Sequence, residues 1–387
     1  MKKRLYLFSL FLYLGCISFG GPTAHIGLFQ KELIEKRQWL STEEYIQLVA
    51  MCQFLPGPTS SQVGMILGYK QLGLGGAFLA WLGFTLPSAM ILAVLATSVL
   101  QFNLLDFEGA IKGLMVAAVV VVASAILSMC KANALQFHHY IFIIFIAVLY
   151  GMFGHQVPQV IWIILAGLLG SIFYKDTSLV LSTSTIQISK KTSVISIVLL
   201  VSIWVLLLIY SHVFILFNHA LIFYQTGALV FGGGHVVMPL LQQDLVAMGY
   251  LDETTFTAGY GFVQAMPGPL FNFASYLGAL LFPLQPILGA TLSVGMIFLS
   301  GALILFGLFP LLQSISKSNA VSKAMRGINL AVIGMLIATF INPLLVHSVS
   351  SVVDSVIALI LFALLYFNRL PIWSLVVISA LFYGIIL

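Results

Sequence analysis

The chain has 387 residues, of which 61 % are hydrophobic and only 7 % are charged, and its net charge is +5. A soluble domain carries roughly 25 % charged residues, so this composition excludes a soluble enzyme, a nucleic-acid-binding protein and a disordered chain. It predicts an all-α polytopic membrane protein, because a helix pairs its backbone groups internally and can therefore cross lipid.

Thirteen apolar segments follow one another along the chain, each of roughly the 20 residues that cross a bilayer. The first follows a basic N-terminus, and we interpret it as part of the fold rather than as a cleaved signal, because the triplet that closes it recurs later in the chain. The segments are predicted at 5–19, 46–70, 73–100, 107–130, 137–153, 157–174, 193–211, 217–231, 254–281, 285–311, 320–345, 350–367 and 371–387.

An internal repeat relates the two parts of the chain. Three groups of residues recur in the same order, which indicates duplication. They are Phe19-Gly20-Gly21 with Phe231-Gly232-Gly233 at a shift of 212, Pro56-Gly57-Pro58 with Pro267-Gly268-Pro269 at a shift of 211, and Lys112-Gly113 with Arg326-Gly327 at a shift of 214.

The repeat predicts three regions. These are a first repeat at 1–175, a polar loop with a linking transmembrane helix at 176–212, and a second repeat at 213–387. The distribution of Lys and Arg, with every segment counted as a crossing, places the two halves of about six segments in opposite orientations. Inverted-topology repeats of this kind are typical of secondary transporters. If the Pro-Gly-Pro segments re-enter the membrane instead of crossing it, the halves become parallel, and the sequence leaves this alternative open.

The two Pro-Gly-Pro triplets are the first candidates for a binding site. Proline removes an amide donor and clashes with the preceding turn, so each triplet predicts a broken helix. In lipid a break is tolerated only where the freed backbone groups face protein or a wet cavity, and the helix that follows presents an N-terminus that favours anions. Ser60, Ser61 and Gln62 follow the first break, and Asn272 follows the second. The alternative explanation is a kink that serves packing only.

Further candidates lie near these breaks or match across the repeat. Each candidate has a structural alternative. The glutamines could bond the backbone groups that the break leaves free, and the glycines could allow close helix packing. The cations could reach the lipid headgroups, and the histidines could have a structural role. The functional interpretations are ligand contact for the glutamines, an amide nest for an anion at the glycines, attraction of an anion by the cations, and proton transfer near neutral pH by the histidines. The residues are Gln53 and Gln264, Gly20, Gly21, Gly232 and Gly233, Lys112 and Arg326, and His25 and His235.

Some functions lack support in the sequence. It contains no metalloprotease motif, no phosphate-binding loop, no nucleophile elbow and no cluster of carboxylates, so neither an enzyme nor a metal or organic cofactor is predicted. A carrier of cations normally offers carboxylates to its ligand. Glycines, helix N-termini, hydroxyls, amides and two basic residues suit an anion instead.

Several motifs resemble those of the chromate ion transporter family in its long form, which has two similar halves. They are FGGPTAH from Phe19, CQFLPGPTSSQ from Cys52 and WLGFTLPSA from Trp81, with FGGGHVVMPLL from Phe231 and QAMPGPLFNFASYLGA from Gln264. The resemblance implies a multi-pass plasma-membrane protein that exports chromate, driven by the membrane potential or a proton gradient. It also implies a functional role for Gly20, Gly21, His25, Gln53, the two Pro-Gly-Pro triplets, Ser60, Ser61 and Gln62.

Secondary transport of a divalent tetrahedral oxyanion is therefore the predicted function, with chromate as the first substrate. The predicted partners are the lipid bilayer, a small inorganic anion and, as a candidate coupling ion, the proton. A permease for sulfate or another inorganic anion is the alternative within this class. A membrane-embedded enzyme and a non-transporting scaffold are the alternatives outside it. The sequence leaves open the true anion, the direction of transport and whether the protein forms a homodimer.

Overall fold

The computed structural model describes residues 2–101, 108–132, 135–154, 156–157, 159–173, 186–231, 234–315, 319–367 and 369–386. Within these ranges the chain forms helices and turns and no strand. The α-helices are α1 (Lys2–Ile17), α2 (Gly21–Phe29), α3 (Thr42–Phe54), α4 (Thr59–Gln101), α5 (Glu108–Ala132), α6 (Phe137–Phe153), α7 (Gln159–Phe173), α8 (Lys190–Ser211), α9 (Ile215–Leu229), α10 (Val237–Leu245), α11 (Glu253–Ala265), α12 (Phe273–Leu281), α13 (Pro286–Ile315), α14 (Asn319–Thr339), α15 (Val346–Ser348), α16 (Val352–Tyr366) and α17 (Ile372–Ile386). Two π-helices (Gln30–Glu35 and Phe340–Leu345) and two 3₁₀ turns (Gly234–Val236 and Leu270–Asn272) complete them.

Each of the thirteen predicted apolar segments overlaps at least one of these helices, which confirms the prediction of an all-α polytopic membrane protein. The linking helix α8 shows why lipid is needed: Val194, Val198 and Ile209 are exposed on its surface. Among the described residues, five helical stretches are long and apolar enough to cross a membrane: Thr59–Leu100, Glu108–Lys131, Lys190–Ser211, Pro286–Gln313 and Arg326–Ser348.

The chain folds into two compact units, and each contains segments of both halves. The first unit comprises Met1–Leu95, Lys175–Val237 and Pro267–Ser322, and the second comprises Ala96–Tyr174, Met238–Met266 and Lys323–Leu387. Sequence repeats and compact units need not coincide, so the repeat boundaries at 175 and 213 stay a prediction.

Within the first unit, α4 is a hairpin of two arms rather than one straight helix. Leu72 and Gly73 have non-helical backbone angles, with φ of −143° and +62°, and they separate a first arm at 59–71 from a second arm at 74–101. The arms pack so closely that a Cβ atom on Gly68 or on Gly76 would collide with the carbonyl oxygen of the other. Gly residues at this contact therefore let the two backbones approach.

The second half repeats this hairpin with α12 and α13. Gly278 and Gly289 make the same mutual contact between these helices as Gly68 and Gly76 make between the arms of α4. The helices that pack outside the hairpins also correspond: Gly15 of α1 lies against the second arm of α4, and Gly227 of α9 lies against α13. Gly15 and Gly227 are 212 residues apart, which is the shift predicted from the glycine triplets.

The two hairpins run in opposite directions. The side chain of Asn272 donates to the carbonyl of Thr85, and the hydroxyl of Ser275, one turn later, donates to the carbonyl of Ala89. α12 therefore runs parallel to the second arm of α4. α13 folds back antiparallel to α12, so it also runs antiparallel to the second arm of α4. These two helices are equivalent in the repeat. This is the arrangement that inverted-topology repeats require.

The second unit shows a reciprocal exchange of helices between the halves. Gly113 of α5 packs against the carbonyl of Ser379 on α17, and Gly327 of α14 packs against the carbonyl of Ala166 on α7. α5 and α7 belong to the first half, and α14 and α17 belong to the second. Reciprocal contacts of this kind are the signature of a two-fold relation. They explain why each compact unit mixes the two halves.

Candidate functional site

The first Pro-Gly-Pro triplet separates α3 from α4, as the sequence predicts. α3 begins with a capping box formed by Ser41 and Glu44, and it ends at Phe54, after which the backbone is extended. Gly57 has φ of +121°, in the region that favours glycine. Its amide donates to the carbonyl of Val230 at 2.7 Å. Val230 directly precedes the second glycine triplet.

The second triplet forms the equivalent break between α11 and α12. Gly268 has φ of +99°, and its amide donates to the carbonyl of Ser18 at 2.6 Å. Ser18 stands directly before Phe19 of the first glycine triplet, as Val230 stands before Phe231 of the second. Each break is thus held by the residue in front of the other half's glycine triplet.

His25 connects the two breaks. Its Nε2 lies 3.1 Å from the carbonyl oxygen of Ser18, and its Nδ1 lies 3.3 Å from the hydroxyl oxygen of Ser60. The carbonyl of Ser18 also accepts from Gly268, and Ser60 follows the first break. We call these four residues, Gly268, Ser18, His25 and Ser60, the His25 network. It places both breaks side by side within the first unit.

The first turn of α4 offers a concentration of hydrogen-bond donors. Thr59, Ser60 and Ser61 occupy its first three positions, whose amides have no partner within the helix, and only the next amide, that of Gln62, reaches the carbonyl of Pro58. Ser60 and Ser61 are 3 % and 1 % exposed. The Ser61 hydroxyl has no hydrogen-bond partner in the described part of the chain. Free amides, an orphaned hydroxyl and the positive end of the helix dipole together suit an anion.

The second break lacks this donor set. Leu270 and Phe271 occupy the turn that follows it, and the amide of Asn272 is already bonded to the carbonyl of Pro269 at 2.9 Å. The two breaks are therefore equivalent in backbone shape but different in chemistry. The amides of Leu270 and Phe271 also lack a partner within the helix, but among the described residues the first break adds a third such amide and the orphaned hydroxyl of Ser61.

Two buried amides brace the breaks against the long helices. Gln62 donates to the carbonyl of Gly301 at 3.2 Å, and Asn272 donates to the carbonyl of Thr85 at 2.8 Å. Because a carbonyl only accepts, these bonds fix the orientation of each amide. They leave Gln62 Oε1 and Asn272 Oδ1 buried without a donor among the described residues. Both side chains position the breaks and offer no donor to an oxyanion, so their predicted contact with substrate stays a prediction.

The remaining candidates of the first unit surround this region. Gly20 and Gly21, with φ of +97° and +80°, open α2. Gln53 is exposed on α3. His235 lies in the 3₁₀ turn that packs through Gly234 against Leu270. Gly232 and Gly233 lie outside the described residues.

Three candidates, Lys112, Gln264 and Arg326, belong to the second unit. Lys112 Nζ lies 3.2 Å from Asp354 Oδ2 and donates to the hydroxyl of Ser350 at 2.8 Å. Tyr383 donates to the other carboxylate oxygen of Asp354 at 2.6 Å. The charge of Lys112 is therefore balanced within the protein, which gives it a structural explanation. Its role in anion attraction, like the roles of Gln264 and Arg326, stays a prediction.

Sequence reasoning missed the partners that hold the breaks, namely Ser18, Val230, Thr85 and Gly301. All four accept a hydrogen bond from the breaks through a backbone carbonyl, and Gly301 also lies close to Pro58. A carbonyl is present in every residue and leaves no mark in a sequence. The one available signal was position, since Ser18 and Val230 directly precede the repeated triplets.

We expect Gly57→Ala to destabilise the folded protein by about 1–3 kcal/mol, because φ of +121° is strained for any residue with a Cβ. The added carbon would also approach Cα of Gly301 at 3.2 Å. Thermal unfolding in detergent measures the effect. Gly295→Ala is the control, because that glycine has open space around it. Equal unfolding temperatures for the two variants would contradict the strained conformation.

Comparison with known proteins places this arrangement among transporters. The family model described as chromate transporter matches residues 5–171 and 217–385. The chromate transport protein of Pseudomonas aeruginosa is 25 % identical over 87 % of this chain and 80 % of its own length. The chromate transport protein of Cupriavidus metallidurans is 25 % identical over 92 % of this chain and 86 % of its own length. An uncharacterized transporter of Methanocaldococcus jannaschii is 25 % identical over 88 % of this chain and 86 % of its own length. No solved structure matches the chain.

Proposed function

The chain belongs to the chromate transporter family, and from this premise we propose that it is a secondary transporter that exports chromate across the plasma membrane. Family membership indicates a transporter rather than an enzyme, and the double match of the family model agrees with two homologous halves in a multi-pass membrane protein. The names of the two bacterial relatives support chromate as the substrate.

The observation that carries the proposal is the first turn of α4. Three amides without a partner inside the helix and the unpartnered hydroxyl of Ser61 lie where the Pro-Gly-Pro break ends, next to the Ser60 hydroxyl that pairs with His25. A tetrahedral dianion presents four acceptor oxygens, and hydrogen bonds to charged groups are about twice as strong as neutral ones. Low exposure of both serines excludes water and strengthens each of these bonds.

The inverted hairpins supply a route for alternating access. Transporters built on inverted repeats move one repeat against the other around a site at the broken helices. Here each break is bonded to the opposite half, Gly57 to Val230 and Gly268 to Ser18. A shift of one hairpin therefore changes the surroundings of both breaks, and the anion at α4 is exposed to each side in turn.

The membrane potential can drive export without another energy source. A charge that crosses a potential of 100 mV changes its free energy by about 2.3 kcal/mol, so a dianion that leaves a negative interior gains about 4.6 kcal/mol. A proton gradient is the second energy source that the proposal admits.

Flux measurements with the purified protein in liposomes test this function. We expect chromate to move faster when a potential, negative on the chromate side, is imposed, and we expect sulfate to compete because it has the same shape and charge. Absence of chromate flux under every combination of potential and pH gradient would refute the proposal. Faster flux of sulfate than of chromate would favour the sulfate permease instead.

A further inference from the structure

The hydrogen bonds of His25 fix where its protons lie. The carbonyl oxygen of Ser18 only accepts, so the Nε2 atom of His25, 3.1 Å away, must carry a hydrogen. In the neutral ring Nδ1 then has no hydrogen and accepts from the hydroxyl of Ser60, at 3.3 Å. The single proton of the Ser60 hydroxyl is therefore turned toward His25 and is not available to a ligand at the first turn of α4.

Protonation of His25 reverses this bond. Nδ1 of the imidazolium carries a hydrogen and donates to the Ser60 oxygen, so the hydroxyl proton rotates away and can be donated to an anion. The positive charge of the ring also attracts that anion. Neutral His25 thus hides a donor of the proposed site, and protonated His25 releases it.

We propose that the transporter binds one proton at His25 together with each oxyanion at the first turn of α4, so that the proton is a co-substrate. This inference rests on the proposed function and adds its coupling ion. The proton enters Nδ1 from the solution that supplies the anion and leaves to the solution that receives it. A dianion and one proton together carry one negative charge per cycle instead of two.

Burial lowers the pKa of the His25 ring to about 4, so the ring is neutral near neutral pH until the charge of an anion bound beside it favours the protonated form. α1 contributes Ser18, and the two arms of α4 contribute Ser60 and Phe84, whose ring centroid lies 5.3 Å from that of His25. None of these groups ionises in that range. From α3, Tyr45 donates to the carbonyl of Ile26, beside His25, and the thiol of Cys52 is buried on the same helix; phenols and thiols of this kind stay neutral there.

Charged residues within and directly after the adjoining π-helix, which ends at Glu35, form a separate group. Lys36 and Arg37 donate to Glu32 at 2.5 Å and 2.9 Å, and these bonds hold the pKa of Glu32 below its usual value. Glu32 therefore stays ionised and paired throughout the pH range in which a histidine titrates.

The test follows protons and anions in the same liposomes. Wild-type protein is reconstituted with a trapped pH-sensitive dye, the potential is clamped, and a gradient of sulfate or chromate is imposed between about pH 5 and 8. Sulfate is included because it stays a dianion over this range, whereas chromate takes up a proton itself. We expect the lumen to acidify as the anion enters, and we expect transport to fall toward tenfold per pH unit at the alkaline end.

Variants separate coupling from folding. His25→Gln keeps a neutral donor and acceptor, and we expect it to reduce flux at least tenfold and to abolish both acidification and pH dependence. His347→Gln, at an exposed histidine whose Nδ1 lies 3.0 Å from the carbonyl oxygen of Pro343, is the matched control and should behave as wild type. If His25→Gln fails to fold, the wild-type dye signal still decides. Anion flux without acidification would overturn proton coupling at His25 but not the proposed transport function. Absence of flux of either anion would overturn both.

Discussion

Ser61→Ala should lower the affinity for chromate by about 10- to 100-fold while leaving the protein as stable as wild type or more stable. The loss follows from the removal of one hydrogen bond to a charged ligand, worth about 1.5–3 kcal/mol. The stability gain follows because the Ser61 hydroxyl is buried and has no partner among the described residues, and such a group costs about 1–3 kcal/mol in the folded state. Binding to purified protein and thermal unfolding measure the two effects.

Opposite changes in binding and stability mark a residue kept for function rather than for the fold. Ser293→Ala is the matched control, because Ser293 is also fully buried on α13 with an unpartnered hydroxyl in the part of the chain that the structure describes. It should show the same change in stability with unaltered chromate binding. Unchanged binding in Ser61→Ala, in a folded protein, would remove this residue from the site.

Lys112→Met should be among the most destabilising single substitutions in the chain, by about 3–5 kcal/mol, because it leaves the carboxylate of Asp354 buried without its cation. The Asp354 side chain is 5 % exposed and lies 3.2 Å from Lys112 Nζ. Lys191→Met is the control, since Lys191 is exposed and surface substitutions usually change stability by less than about 0.5 kcal/mol. Unfolding in detergent compares the two.

The double variant Lys112→Met with Asp354→Asn separates structure from transport. Asparagine keeps the shape of Asp354 and an acceptor for the amides of Ser350 and Ser351 that cap α16. We expect this variant to regain most of the lost stability and to transport chromate. A stable double variant that no longer transports would instead support the role in anion attraction predicted from the sequence for Lys112.

The breaks could be predicted because proline acts through local chemistry. Pro56 and Pro58 cannot sit inside a helix without a kink or break, and the same triplet at 267–269 doubled the signal. The polar contrast between Ser60-Ser61 and Leu270-Phe271 was also visible in the sequence. The structure adds that, among the described residues, the polar break is the one with an unused hydroxyl, that of Ser61.

Long-range partners could not be predicted in the same way. Asp354 is 242 positions from Lys112 in the chain, and no local pattern links a cation at the start of one helix to a carboxylate that caps another. Matching Lys112 to Arg326 across the repeat suggested a shared function, whereas the structure gives Lys112 its own counter-ion. The packing of α17 against α5 and of α7 against α14 could not be predicted from the sequence either, because it depends on close contacts of small residues such as Gly113 and Gly327.

Locating bound chromate in the protein tests the central claim most directly. Chromium scatters X-rays anomalously, so crystals grown with chromate would show the position of the ion without relying on the protein map. We predict an anomalous peak within hydrogen-bond distance of the amides of Thr59, Ser60 and Ser61, and its loss in Ser61→Ala crystals. A peak beside Lys112 or Arg326, with none at the first turn of α4, would contradict it.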